Sequence, residues 1–150
     1  MLRRLLLACA LVAAFVAPAF SQEDWTVKDS PHSVGDTVTA LTGAIEKAGA
    51  KVFAVVDHQA GATAAGLDLP PTTTVIFGNP KIGTPLMQAN RRIALDLPVK
   101  VLVWEEDGQT RLGYLQPQSL AGRYAIGSDA KPVQMMTGAL AKLTDAAIAE

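Results

Sequence analysis

Cysteine and histidine are scarce in this chain of 150 residues, which has one cysteine, Cys9, and two histidines. Cys9 lies in an N-terminal segment that we expect to be removed, which would leave no thiol for a disulfide, a metal or thiol chemistry. His32 and His58 form no His-x-x-x-His or Glu-x-x-His pair, the spacing that places two metal ligands together. The sequence therefore predicts no metal site and no cofactor.

An excess of basic charge is also missing. The whole chain has a formal charge of −1, and without residues 1–19 it has 11 basic and 14 acidic residues, a charge of −3. No basic patch remains, and we therefore expect no nucleic acid partner. No apolar run reaches the ~20 residues that span a bilayer, so we also expect no stable membrane anchor.

The N-terminal segment has the features of a secretory signal peptide. Two arginines precede an unbroken apolar run from Leu5 to Val16, and the small-residue pattern Ala17-Pro18-Ala19 follows. We predict a signal peptide over residues 1–21, cleaved after Ala19 or Ser21, and a periplasmic or secreted protein. A lipoprotein anchor at Cys9 is disfavoured, because only four apolar residues separate it from the basic start.

Residues 22–150 are predicted to form one α+β domain, with a mostly antiparallel sheet and two main helices packed on it. This length buries a core without disulfides, and no repeat or linker divides it. Asp107-Gly108 is a strong hairpin signal. The predicted strands are 25–28, 51–57, 72–77, 98–105 and 111–115.

Two segments have apolar residues at helical spacing. The first is predicted to begin after the N-cap Ser33 and to end at Gly49; the second is near the C-terminus. Shorter helical turns are predicted over 59–66 and 118–126. The stripe of the first helix is Val34, Val38, Leu41 and Ile45, with Ala40, Ala44 and Ala48 beside it. The stripe of the last helix is Val133, Met136, Leu140, Leu143 and Ala147.

The segment Phe77–Met87 is the best site candidate, because glycine, proline, asparagine and threonine crowd between a strand and a short helix. Its glycine spacing resembles a phosphate-binding loop, but the lysine that should precede Thr84 is absent, and Pro80 lacks an amide hydrogen. We therefore exclude nucleotide hydrolysis. We predict that Thr84 caps the short helix, with Pro85 at its first position.

A weaker anion site remains conceivable at that predicted helix start, where amides are unpaired and Lys81 adds charge. The plain alternative is a rigid corner between strand and helix. We also predict that Gly83 occupies a strained or closely packed backbone position.

Two other residues are candidates for a ligand site. His58 follows Asp57 at a strand end and could act as an acid, a base or a ligand, although a capping or satisfied polar role is the plainer interpretation. Asp96 lies between two leucines, where an unpaired charge would be costly. We predict that its carboxylate accepts backbone amides of the Gly78–Thr84 loop.

Four blocks of sequence together resemble the bacterial family known as domain of unknown function 302. They are the runs 57–62, 66–71, 77–87 and 94–104, and the resemblance extends over about residues 25–125. It implies a small α+β domain, sometimes exported, and it implies no reaction. The positions that match the motifs are His58, Gly78, Asn79, Pro80, Gly83, Thr84, Pro85, Met87 and Asp96.

Three functions stay open at this point. The leading one is a non-catalytic domain that binds a small ligand between the Phe77–Met87 loop, His58 and Asp96. Both an anionic and an uncharged ligand stay open. The second is a small enzyme that uses His58 or Asp96 as acid or base. The third is a structural module that forms a homodimer through an exposed sheet edge. The predicted ligand contacts are His58, Gly78, Asn79, Lys81, Gly83, Thr84 and Asp96.

Overall fold

The computed structural model describes residues 24–150 as a five-stranded antiparallel sheet with the two long helices on one face. The order across the sheet is β1-β5-β4-β3-β2, and every neighbouring pair is antiparallel. This confirms the predicted α+β class. The predicted signal peptide lies outside the described residues. The strands are β1 (Trp25–Ser30), β2 (Lys51–Asp57), β3 (Thr72–Gly78), β4 (Val99–Glu106) and β5 (Gln109–Leu115).

Two long helices and three short ones accompany the sheet in the described part of the chain. A 3-10 helix, Arg91–Leu95, lies between the helix Pro80–Ala89 and β4. No helix within residues 24–150 combines the length and the apolar character needed to cross a membrane. The helices are α1 (Val34–Lys47), α2 (His58–Ala64), α3 (Pro80–Ala89), α4 (Pro117–Gly122) and α5 (Lys131–Ala147).

Local signals set the ends of α1 as the sequence predicts. The Ser33 hydroxyl accepts a hydrogen bond from the Asp36 amide at 3.1 Å and donates one to the Asp36 carboxylate at 2.7 Å. Gly49 follows the helix with a φ of +73°, a backbone conformation that glycine adopts without the penalty of a side chain. The predicted cap and end of this helix are therefore confirmed.

The hairpin between β4 and β5 is also confirmed. Asp107 and Gly108 have φ values of 53° and 75°, the left-handed pair that a two-residue turn of this type requires. The turn pairs Glu106 with Gln109 and brings Gly113 opposite Leu102.

The core lies between the sheet and the helices. On the strands it takes alternate residues, so that Val75, Val101 and Val103 are fully buried while their neighbours face the other side. Leu41 and Ile45 of α1 and Leu140 of α5 close it from the helical side. The predicted apolar stripes of both long helices are thus confirmed as core, except that Val38 is only partly buried and packs against its edge.

The start of α3 differs from the prediction. Asn79, not Thr84, is the N-cap; its side chain accepts from the Lys81 amide at 3.0 Å, and Pro80 takes the first helical position. Pro85 lies inside the helix. Both Asn79-Pro80 and Thr84-Pro85 combine a capping residue with a proline, and the structure uses the earlier pair. Thr84 as the cap is therefore wrong.

Candidate functional site

A cavity of about 880 Å³ lies beside the core, bounded by α1, α3, α5 and the strand ends at β3 and β4. Several of its lining residues, among them Phe53 and Ala48, are exposed, so the cavity opens to solvent. Its volume falls in the range of about 300–1,000 Å³ that is usual for ligand pockets. Apolar side chains that form much of the wall are Ile82, Met87, Leu97, Val99, Met136, Leu140 and Leu143.

The cavity exists because small residues face it. α1 and the residue after it contribute Ala44 and Ala48, and α5 contributes Ala139 and Ala146. Larger side chains at these positions would occupy the space, since native cores are otherwise packed to about 0.74 of their volume. We call Ala44, Lys47 and Ala48 with Ala139, Lys142 and Ala146 the cavity stripes.

The mouth has an exposed aromatic residue, Phe53. It lies where the pairing of β2 with β3 shifts register between Val52 and Ala54, as at a β-bulge. The Phe53 side chain is 52% exposed and lines the cavity. The Lys51 ammonium lies 5.3 Å from the centre of its ring. The irregularity thus turns a large apolar group toward the opening.

Few polar side chains line the cavity, and the charged ones are both lysines. They are Lys47 and Lys142, and both are exposed. Asn79 also lines the cavity, where its backbone oxygen accepts from the amides of Ile82 and Gly83 at 2.9 Å each. The first amides of α3 are therefore already paired. The anion site was predicted at a helix that begins at Thr84, and no helix begins there.

Four of the seven predicted contact residues lie together in the cavity wall. They are Gly78, Asn79, Gly83 and Thr84. Lys81 is exposed on α3 and does not line it. Gly78 permits a close approach, because a Cβ there would lie 3.3 Å from the Cβ of Pro98. Whether any of these residues binds a ligand stays a prediction.

Gly83 does not occupy a strained position. It lies in α3 without a positive φ, and a Cβ added there would meet the Met87 Cε at 3.8 Å and the Leu97 Cδ1 at 3.9 Å. These are ordinary van der Waals distances. The predicted strain at Gly83 is therefore wrong, because the helix begins before this residue rather than after it.

His58 lies apart from the cavity wall. Its Nε2 is hydrogen-bonded to the Thr74 hydroxyl at 3.0 Å. The Thr74 side chain faces away from the long helices, since its neighbour Val75 is buried beneath them. Asp57 caps α2 by accepting from the Ala60 amide at 2.9 Å. The capping role considered for this turn therefore belongs to Asp57.

Asp96 joins the 3-10 helix to the segment after α4. Its carboxylate accepts from the Tyr124 hydroxyl at 2.6 Å, and the Arg123 guanidinium lies 4.0 Å away. This bond, then burial and the charge of Asp96, raise the pKa of Tyr124 above 10.0, while Arg123 opposes the shift. The predicted bonds from Asp96 to amides of the Gly78–Thr84 segment are absent within residues 24–150, so that prediction is wrong.

The structure therefore does not gather His58, Asp96 and the Phe77–Met87 segment around one space. Each of the first two has its own polar partner, and neither lines the cavity. Within the described 127 residues, 24–150, no group of three or more histidine, cysteine, aspartate or glutamate side chains is placed to hold a metal ion.

The α1 and α5 walls were not predicted as site residues. The sequence marked Ala44 and Ala48 only as small residues beside an apolar stripe, and it did not mark Lys47, Ala139 or Lys142. The available signal was the small-residue spacing next to each core stripe. That signal alone does not separate a cavity wall from tight helix packing.

Comparisons with known proteins support the fold. A crystal structure of an uncharacterized conserved DUF302 protein from Bacillus stearothermophilus is similar, with a TM-score of 0.75 and 21% identity. The alignment covers 82% of this chain and 97% of that one. At this identity the likeness shows the fold alone.

Curated relatives include proteins named fluoride-specific ion channel FluC 1, from Brucella suis and Brucella abortus. Each is 46% identical over 113 residues, which is 73% of this chain but only 44% and 42% of the respective relative. The matched part of the chain thus spans less than half the length of these relatives, and their names apply to the whole of those longer proteins.

The family assignment rests on a match over most of the chain. The family model described as domain of unknown function DUF302 matches residues 26–144, from β1 to the last turn of α5. The range therefore includes every residue that lines the cavity except Ala146. The chain belongs to the DUF302 family.

Proposed function

We propose that this protein binds a small, largely apolar ligand in the cavity between α1, α3 and α5, and that it does so without catalysing a reaction. The cavity itself is the observation that supports binding: about 880 Å³, walled by apolar and small side chains and open to solvent. Apolar ligands would leave water for this space, with a gain of about 25 cal/mol for each Å² buried.

An acid–base enzyme has less support. His58 and Asp96, the two residues that such an enzyme would use, are engaged by Thr74 and Tyr124 and lie outside the cavity wall. A general acid or base must lie within hydrogen-bond reach of the substrate. The cavity wall includes no carboxylate or imidazole that could take this role.

The homodimer, the third function left open by the sequence, is the second candidate here, because β1 is an edge strand with exposed apolar residues. Trp25 and Val27 are each 48% exposed on it. An unpaired edge offers backbone groups to a second strand. Native mass spectrometry at increasing protein concentration tests this. A dimer that Trp25→Lys disrupts would support it, and a monomer at all concentrations would contradict it.

Titration with the neutral fluorophore N-phenylnaphthylamine tests ligand binding. We expect saturable binding, and Ala139→Phe should reduce the affinity about tenfold or more by filling the cavity. Gln134→Phe is the matched control, because Gln134 lies on α5, is exposed and does not line the cavity. Equal loss in both variants, or no saturable binding by the wild type, would contradict the proposal.

We also propose that the protein is exported and works in the periplasm or outside the cell. The support is the signal-peptide pattern in residues 1–21. N-terminal sequencing of the protein from the exported fraction should find a start after Ala19 or Ser21. An intact Met1, or lipid on Cys9, would contradict this.

A further inference from the structure

We propose that the ligand is an amphiphile with one anionic head group, such as a long-chain carboxylate, whose head lies at the cavity mouth near Lys47 and Lys142. This rests on the proposed function and adds the chemical class of the ligand. It assigns a recognition role to two residues on helices that the sequence had identified only as scaffold.

The positions of the two lysines on their helices are the first argument. Lys47 follows Ala44 by three residues, and Lys142 follows Ala139 by three and precedes Ala146 by four, the spacings that share one helix face. Each lysine therefore interrupts a stripe of alanines that faces the cavity. A lysine at such a position can lay its methylene groups along the apolar wall and keep its ammonium in water.

Charge complementarity is the second argument. The lining of the cavity includes both lysines and no aspartate or glutamate. Among the described residues, neither lysine forms an ion pair within 4.0 Å. The mouth is thus positive without an internal counter-charge. A neutral ligand would leave both ammonium groups hydrated and would gain nothing from their charge, and a cationic ligand would be repelled.

The start of α3 argues for head-group recognition by side chains rather than by a backbone cradle. Lys81, Ile82 and Gly83 already donate their amides to Asn79, and Pro80 has no amide hydrogen. A phosphate cradle formed by free amides is therefore not available there. The lysine side chains are then the donors that remain for an anionic head group.

The helix dipole does not account for both lysines. Lys47 is the last residue of α1, where a cation is favoured in any case. Lys142 lies inside α5, well before its end at Ala147, so the dipole gives no reason for a lysine there. The coincidence of both lysines at one cavity mouth is what the proposed head group explains.

Displacement of bound N-phenylnaphthylamine by dodecanoate and by dodecanol separates the head group from the chain. Both competitors have the same chain, and near pH 8 an ordinary carboxylic acid is ionised. We expect dodecanoate to bind about fourfold or more tightly than dodecanol. In the K47Q/K142Q variant this preference should disappear, since exposed ion pairs contribute roughly two- to fivefold each. The control is Lys131→Gln, an exposed lysine of α5 outside the cavity wall.

The outcomes distinguish the two proposals. Equal displacement by the acid and the alcohol would overturn the anionic head group and leave apolar binding intact. Failure of the fluorophore to bind the wild type would overturn both. A preference for dodecanoate that survives in K47Q/K142Q, or that Lys131→Gln also removes, would overturn the role of these two lysines. Melting curves of each variant establish that it is folded.

Discussion

Each long helix has two stripes with different packing. On α1, the core stripe includes Leu41 and Ile45, which are fully buried, while Ala44 and Lys47 face the cavity. On α5, Val133 and Ala147 are buried and do not line the cavity, while Ala139 and Ala146 line it. The two stripes are parts of the same helices, yet one is buried and the other borders open space. Met136, Leu140 and Leu143 of α5 lie between them, because they are buried and also form part of the cavity wall.

The difference shows how a small domain can combine stability with a binding site. Hydrophobic burial depends on the core stripe, whose large side chains are almost completely removed from solvent. The cavity stripe gives up such contacts, because alanine offers little surface to bury. Substitutions at matched positions on the two stripes should therefore have different effects, and the following experiments measure that contrast.

The largest expected effect is at the core stripe. Leu41→Ala should lower the free energy of unfolding by about 3–5 kcal/mol, because Leu41 is 0% exposed and its removal leaves a void. Lys47→Ala, six residues later on the cavity stripe, should change it by less than about 0.5 kcal/mol. Denaturant unfolding of both variants gives the two values. Similar losses would refute the distinction between the stripes.

Adjacent alanines of α5 provide a sharper pair. Ala147 is 0% exposed, so Ala147→Leu should overpack the core and cost about 1–3 kcal/mol. Ala146 is exposed and lines the cavity, so Ala146→Leu should stay within about 0.5 kcal/mol of the wild type. Thermal melting ranks the two variants. A loss for Ala146→Leu as large as that for Ala147→Leu would show that position 146 has no free space.

Gly83 extends the contrast to α3. Because it lies inside a helix with room for a Cβ, Gly83→Ala should raise the free energy of unfolding by about 0.5–1 kcal/mol. Gly138→Ala in α5, where a Cβ also meets open space, is the matched control and should gain a similar amount. A Gly83→Ala variant that is less stable than the wild type would contradict this and would support the strained position that the sequence predicts for Gly83.

The smallest expected effect is on the hydrogen bond between Tyr124 and Asp96, the residue that precedes Leu97 of the cavity wall. The Tyr124–Asp96 hydrogen bond raises the pKa of Tyr124. Its stabilisation is therefore complete below the ordinary value of 10.0 and is lost as the pH rises through the folded-state pKa. Asp96→Asn should lower the pKa of Tyr124 and reduce stability at neutral pH, with the difference fading in strong alkali.

Ultraviolet titration of tyrosinate measures that pKa, and subtraction of the Tyr124→Phe spectrum removes the contribution of Tyr114. Unfolding curves over the same pH range give the stability. An unchanged Tyr124 titration in Asp96→Asn would show that the carboxylate does not control the phenol.

Much of the fold could be predicted because its signals are local. Ser33 and Gly49 mark the ends of α1 by backbone chemistry, and Asp107-Gly108 specifies the hairpin. The start of α3 could not be decided in this way. Asn79-Pro80 and Thr84-Pro85 offer the same local chemistry, and local chemistry alone does not rank them.

The candidate site was only half predictable. The sequence identified Gly78 and Asn79, because unusual backbone residues between two elements attract attention. It also placed His58 and Asp96 in the same pocket, although their partners, Thr74 and Tyr124, lie 16 and 28 positions away along the chain. Contacts at such separations leave no periodicity or motif to detect.

The sequence by itself determined the α+β class, the two apolar stripes and the hairpin turn, since each depends on residues within a few positions of one another. Only the tertiary structure decided where α1, α3 and α5 stand relative to the sheet. The cavity is the volume that their packing leaves unfilled beside Ala44, Ala139 and Ala146. An unfilled volume belongs to no single segment, and so it appears only when all its walls are in place.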